Sequence, residues 1–418
     1  YVAYLFAHNN NDGEFGPDAD QDIIKCGSYT GNASTTGPVI DLGFEPQWLM
    51  VKRSDSADEW FIFDVMRGFD LTTTARLSAD SNNAESPSLS VIPTSTGFQP
   101  VKNHGSVNGS GGTYIYMAIR RGPLATPEAG TEVFNIATRA NGNPEFVAGF
   151  PVDMNIFTDR DSGYNWTTTR LNAKKYLVTS STAAEAASSN MAFDYQNGIW
   201  SGTSTDSTQL SWMWKRAPSY FDVVCYIGND SNRNLSHNLG AVPEMMWVKR
   251  RDSTGGDWNI YHKDTGNTKY LVLNSTAAAS TSQYTWNNTT PTESVFTVGT
   301  ATNTNGGNGD AYIAYLFASL DGVSKVGSYV GNGANNRQID CGFTNGARFI
   351  LAKNTTGGRW DVFDTARGIG AGNPPRLSLN NTNAEESPAD YVDPHSSGFI
   401  VNSPLNDNGD TWIFYAIA

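Results

Sequence analysis

The feature that most constrains this 418-residue chain is self-similarity at a period near 100 residues. The run Tyr1-Val-Ala-Tyr-Leu-Phe-Ala7 returns as Tyr114-Ile-Tyr-Met-Ala-Ile-Arg120, as Ala311-Tyr-Ile-Ala-Tyr-Leu-Phe-Ala318 and as Trp412-Ile-Phe-Tyr-Ala-Ile-Ala418. A weaker copy is Trp212-Met-Trp-Lys215, so three of the four intervals are 98 to 100 residues. A fixed period of that length signals tandem copies of one folding unit.

Other blocks keep the period. Gly27-Ser-Tyr-Thr-Gly-Asn32 matches Gly327-Ser-Tyr-Val-Gly-Asn332, and Tyr226-Ile-Gly-Asn229 in part. Leu42-Gly-Phe-Glu-Pro-Gln-Trp-Leu-Met-Val-Lys-Arg53 matches Leu239-Gly-Ala-Val-Pro-Glu-Met-Met-Trp-Val-Lys-Arg250, with a degraded form running from Cys341 to Lys353. Trp60-Phe-Ile-Phe-Asp64, Trp258-Asn-Ile-Tyr-His262 and Trp360-Asp-Val-Phe-Asp364 follow, and Gly97-Phe98 and Gly398-Phe399 precede the closing strand. The second unit diverges most, matching through Phe150–Ile156, Tyr164-Asn-Trp166 and Arg170-Leu171. Five closing strands thus accompany four bodies. The surplus copy at residues 1–7 is expected to close a preceding unit outside this chain, or to complete the first sandwich while the C-terminal strand completes a neighbour. Because residue 1 is Tyr, the chain is expected to be processed or partial.

Within a unit the signals are β. Short runs rich in Val, Ile, Trp, Tyr and Phe are bounded by Gly, Asn, Pro and Ser clusters. Trp60/Ile62 against Phe61/Phe63 reads as a strand buried on both faces, whereas Asp361 between Trp360 and Val362 reads as half-buried. The Ala-rich residues 182–187 are expected to form one helical turn. The expected fold class is all-β: tandem antiparallel, jelly-roll-like β-sandwiches of about 100 residues. The expected divisions are 1–25 (a closing strand and acidic linker), 26–123, 124–219 (divergent), 220–319, a linker at 320–325, and 326–418. Units of that size can bury their own cores, so they are expected as beads with separate interiors.

The marked residues read as structural. A Trp recurring at one place in a dense strand (Trp60, Trp258, Trp360) is expected to anchor the core between two sheets, in preference to serving as a sugar-stacking platform. Asp64 with Arg67, and Asp364 with Arg367, can form bidentate pairs closing a turn, and His262 stands where those Asp residues stand. Asp18, Asp20 and Asp22 have the opening spacing of a calcium loop, but Ile23 replaces its glycine and Tyr29 its final glutamate, so a solvated linker is expected. Cys26, Cys225 and Cys341 lack metal spacing and are expected as reduced, buried thiols. The chain holds no H-E-x-x-H, G-x-S-x-G, P-loop or C-x-x-C sequence, and its five His are scattered. No catalytic, metal or cofactor residues are assigned. With 28 basic against 41 acidic residues and no basic run, neither nucleic acid nor membrane insertion is expected.

The order of blocks resembles a repeat domain of tail-fibre and other virion proteins of tailed bacteriophages, particularly of marine and cyanobacterial hosts. The resembling residues are Tyr29–Asn32, Leu42–Arg53, Trp60–Gly68, Leu77–Glu85, Gly97-Phe98 and Tyr114–Tyr116, most of them repeated in the last unit. Residues 212–224 resemble a linker of the same proteins. The resemblance implies a virion-surface tail fibre, spike or adhesin that binds the bacterial surface without catalysis. The implied partners are a host cell-surface glycan or protein and other virion proteins. A homo-oligomer is expected, with a trimer as the first guess. The alternatives are a structural spacer or capsid decoration, and a virion-associated polysaccharide depolymerase.

Overall fold

The computed structural model describes residues 1–8, 15–16, 19, 21–35, 37–69, 74–87, 91–172, 174–188, 191–202, 206–370 and 372–418. It is nearly all β, 41% strand and 4% helix, in antiparallel sheets. No helix among the described residues is long and apolar enough to cross a membrane. The chain forms two compact units. One is Tyr1–Ala125 with Arg170–Ala173, and the other is Thr126–Thr169 with Lys174–Ala418.

The first unit holds repeat 1. Its strands are β1 (Ile24–Thr30), β2 (Ile40–Asp41), β3 (Pro46–Arg53), β4 (Trp60–Asp64), β5 (Ala75–Ser78), β6 (Ser86–Pro87), β7 (Val91–Thr94), β8 (Gly97–Pro100) and β9 (Thr113–Arg120). The broad sheet runs β1-β9-β3-β4-β5-β6 and the narrow one β2-β8-β7. Strand alternation divides the broad sheet's residues between two faces. The inner face carries Leu49, Val51, Phe61, Phe63, Tyr114 and Ala118, all nearly inaccessible. It meets the narrow sheet through Phe98, whose ring lies 5.3 Å from Tyr116 and 5.8 Å from Tyr29.

Repeats 2 to 4, which apart from Arg170–Ala173 belong to the second unit, keep this order. In repeat 3 the broad sheet runs Phe221–Ile227, Ala311–Phe317, Met245–Arg250, Asn259–His262, Lys269–Val272 and Ser280–Thr281. Repeats 2 and 4 are built alike, around the closing strands Gln209–Trp214 and Thr411–Ile417. Each has its own apolar interior between broad and narrow sheets, such as Ile350, Phe363, Phe399 and Phe414 in repeat 4.

The recurring Tyr-x-Gly-Asn block pins the first strand to the loop before the last. The hydroxyls of Tyr29, Tyr226 and Tyr329 donate to the carbonyls of Val107, Thr304 and Leu405. Asn108, Asn305 and Asn406 each accept from the backbone N–H of the block's Asn, at 2.9–3.1 Å. The glycine is required by close approach. A Cβ on Gly31, Gly228 or Gly331 would stand 2.3, 2.3 or 1.9 Å from a carbonyl oxygen of the facing loop.

Several expectations are corrected. Residues 1–7 do not complete the first sandwich, which β9 closes by pairing with β1 and β3; they form no strand here and expose their large side chains, Leu5 at 92%, which leaves their other reading, as the closing strand of a unit outside this chain, untouched. Residues 182–187 form no helix, only extended chain ending in the strand Ala186–Ala187. Strand Trp360–Asp364 is buried on both faces, not half-buried: Asp361 accepts from the Ser378 hydroxyl at 3.0 Å and lies 3.6 Å from Arg376. The three cysteines are thiols, but only Cys341 is buried, and burial pushes its pKa up to about 12. Asp18 and Asp20 lie outside the described residues. No cluster of metal-binding side chains occurs among those described.

Candidate functional site: the face that joins the repeats

The outer face of the broad sheet carries the marked tryptophans. Strand register makes Trp60, Trp258 and Trp360 equivalent, and it places Asn165 at the same position in repeat 2. The expectation that these tryptophans sit between the two sheets of a sandwich is therefore corrected. Trp258 and Trp360 are 0% and 1% exposed, but their cover is a neighbouring repeat. Trp60 is only half-buried.

The contacts of the second unit form a closed cycle. The Trp258 indole N–H donates to Val178 O of repeat 2 at 3.0 Å. The Trp360 N–H donates to Val272 O of repeat 3 at 2.9 Å. The Asn165 side-chain amide donates to Ser378 O of repeat 4 at 3.0 Å, closing the ring. Val178, Val272 and Ser378 are themselves equivalent, each at the end of the strand after the Trp strand. A second set of bonds runs the opposite way round. Glu185 N donates to Arg251 O at 2.7 Å, Ala279 N to Thr355 O at 2.8 Å, and Glu385 N to Arg160 O at 2.6 Å. Six hydrogen bonds at equivalent positions thus join repeats 2, 3 and 4, each repeat giving one side of its sheet to one neighbour and the other side to the next.

Inside the ring the outer faces form a shared apolar core. The Phe349 ring lies 5.6 Å from Trp214 and 5.3 Å from Phe134, and Phe317 lies 5.0 Å from Tyr415. Met154, Ile156, Trp212, Trp247, Ile260, Tyr315, Leu351, Val362 and Ile417 are all at most 1% exposed. Separate interiors therefore describe each sandwich's inner core, whereas the outer faces of these three repeats fuse into a further one.

Several charged groups on the outer faces are paired, whereas the buried Trp247 indole N–H and Tyr315 hydroxyl meet no hydrogen-bond partner among the described residues. Asp364 accepts from Arg367 Nε at 2.6 Å and from the Trp212 indole at 2.9 Å; Asp64 accepts from Arg67 Nε at 2.7 Å. Both pairs close a turn as the spacing suggests. Glu185 binds the fully buried Arg251 at 2.8 Å and Lys175 at 3.0 Å. Lys249 and Lys353 cross to the carbonyls of Thr182 and Thr276, and burial lowers both ammonium pKa values to about 8. His262, at the Asp64/Asp364 position, is lowered to about 4, chiefly by burial.

Sequence reasoning identified the Trp block but missed Asn165, since its type gives no sign of the equivalence. Its place two residues after Gly163, as Trp258 and Trp360 follow Gly256 and Gly358, is the signal that could have found it.

Residues 1–123 and 158–418 match the domain of unknown function DUF7483. The chain belongs to that family. No curated protein matches it significantly. The family's signature thus spans most of repeats 1 to 4, including the Trp position of each.

Proposed function

We propose that this DUF7483 chain is a structural protein of a bacteriophage particle, a tail-fibre or spike component exposed on the virion surface that attaches non-catalytically to the bacterial host. The observation that carries the reading is the shared block order of the repeats, which resembles that of phage fibre and virion proteins. The packing gives each block a mechanical purpose. Tyr-x-Gly-Asn locks the ends of sandwiches 1, 3 and 4, and the Trp strand couples sandwich to sandwich. A body built this way resists deformation, and surface loops on such a scaffold are free to vary and make contacts.

The test is adsorption of the purified, fluorescently labelled chain to a panel of bacteria and to their isolated envelope polysaccharide. Antibody labelling of intact particles accompanies it. Saturable binding to one host, with label at the fibre or particle surface, is the expected result. Label on the particle without cell binding would replace adhesion by a spacer or decoration role. Release of reducing sugar would replace it by depolymerase activity.

A further inference from the structure

The outer face of repeat 1 carries the same residues that join the other three repeats, yet it is not closed in the same way. Its apolar positions are Trp48, Met50, Trp60, Ile62, Ile115, Met117 and Ile119. The equivalents in repeats 2 to 4 are at most 1% exposed, whereas Ile115 is 41% exposed and the other six are half-buried. Lys52 occupies the place of Lys249 and Lys353, but its ammonium turns back to the carbonyls of Arg53 and Ser56, at 2.7 and 3.3 Å. The Trp60 indole N–H meets no acceptor among the described residues. Strand register also places the three other partners of the ring bonds in repeat 1. Ser78 stands where Val178, Val272 and Ser378 accept, Ser54 O stands where Arg251, Thr355 and Arg160 accept, and Glu85 N stands where Glu185, Ala279 and Glu385 donate.

We propose that repeat 1 joins three copies of this chain into a homotrimer, each copy donating Trp60 Nε1 to Ser78 O of one neighbour and Glu85 N to Ser54 O of the other. The occupant is argued from the ring formed by repeats 2 to 4. Its contact is heterologous, because the donor and acceptor patches lie on different edges of one face. A repeated heterologous contact closes only at the number its rotation sets, and this one closes at three. Repeat 1 holds both patches, so identical copies suffice. Its central positions are all apolar and its one carboxylate, Asp64, is already paired with Arg67 as Asp364 is with Arg367. A sheet face on which seven large apolar side chains stay partly exposed among the described residues is what monomers avoid.

Sedimentation equilibrium of the whole chain tests the proposal, with an expected mass three times the 45.3 kDa of one copy. Ile115→Lys and Trp60→Ala should each shift the species to monomer with an unchanged β-sheet circular dichroism spectrum. Oxidation of a Ser54→Cys, Glu85→Cys double variant should yield covalent trimers, and each single variant none. A monomeric wild-type chain overturns the proposal and leaves the face to units of a longer chain or to another protein. A trimer that survives Ile115→Lys and forms no Ser54–Glu85 cross-link overturns it as well, by placing the interface elsewhere.

Discussion

At the residue scale, one tryptophan position supports two kinds of contact at once. Its ring fills a joint between repeats, and its N–H satisfies a carbonyl that would otherwise be buried at a strand end. Trp258→Ala and Trp360→Ala should each cost roughly 3–5 kcal/mol, as large aromatic truncations in packed interiors do. Chemical denaturation followed by circular dichroism would measure this, and a loss below about 1 kcal/mol would contradict the burial of both side chains. His262 makes the same joint sensitive to acid. Its folded pKa is lowered to about 4 from a reference near 6.5, so between those values the unfolded chain binds a proton that the folded chain does not. The stability this histidine contributes is therefore present above the unfolded pKa and is lost as pH falls through the window, by up to about 3 kcal/mol. His262→Gln should flatten the fall in melting temperature between pH 6.5 and 4 relative to the parent chain. Parallel curves for the two proteins would show that His262 does not titrate in this way.

At the element scale, the sandwich is held at its ends by side chains that do the work of backbone. Asn305 accepts from Asn229 N and donates to Asn229 Oδ1, Ser231 O and Gly299 O at 3.0, 2.7 and 3.1 Å. Asn305→Ala takes this donor from the buried carbonyl of Gly299, worth about 1–3 kcal/mol, and unties the exposed Asn229 and Ser231 from the loop. The variant should open the loop before Ala311–Phe317, read as faster amide exchange at Tyr226–Asn229; unchanged exchange there would sink this account. The charged link between repeats 2 and 3 runs through Glu185, whose carboxylate is shared by Arg251 and Lys175. Removing it takes the carboxylate away from a fully buried guanidinium, so Glu185→Ala should destabilise the second unit by about 3–5 kcal/mol, as broken buried pairs do. A denaturation midpoint indistinguishable from the parent would remove that ion pair from the account.

At the scale of the whole molecule, a common outer core changes what unfolds together. Separate interiors would let one repeat melt while its neighbours stand. The ring predicts that repeats 2 to 4 melt in one cooperative transition, because losing one repeat uncovers the outer faces of the other two. Calorimetry of Trp258→Ala should show the whole transition of residues 126–418 moving down, not a third of it splitting off. A resolved low-temperature peak of about a third of the heat would restore the independent-repeat picture.

The sequence by itself determined the repeat, the β class and the local devices. Period, strand runs and turn residues act over a few positions, and Tyr-x-Gly-Asn or Asp-x-x-Arg carries both partners of a bond within one repeat. It also held a sign of a second packing face, since Trp60/Ile62 and Phe61/Phe63 make the equivalent strand of repeat 1 apolar on both faces, although Trp60 and Ile62 are only half-buried there. Which face met the narrow sheet, and what covered the other, depended on atoms roughly 100 residues away in another repeat, whose positions no local pattern encodes. Asn165 illustrates this limit. An amide replaces an indole there, so composition loses the equivalence, and only the tertiary structure restores it by aiming both N–H groups at the same carbonyl position of the adjoining repeat.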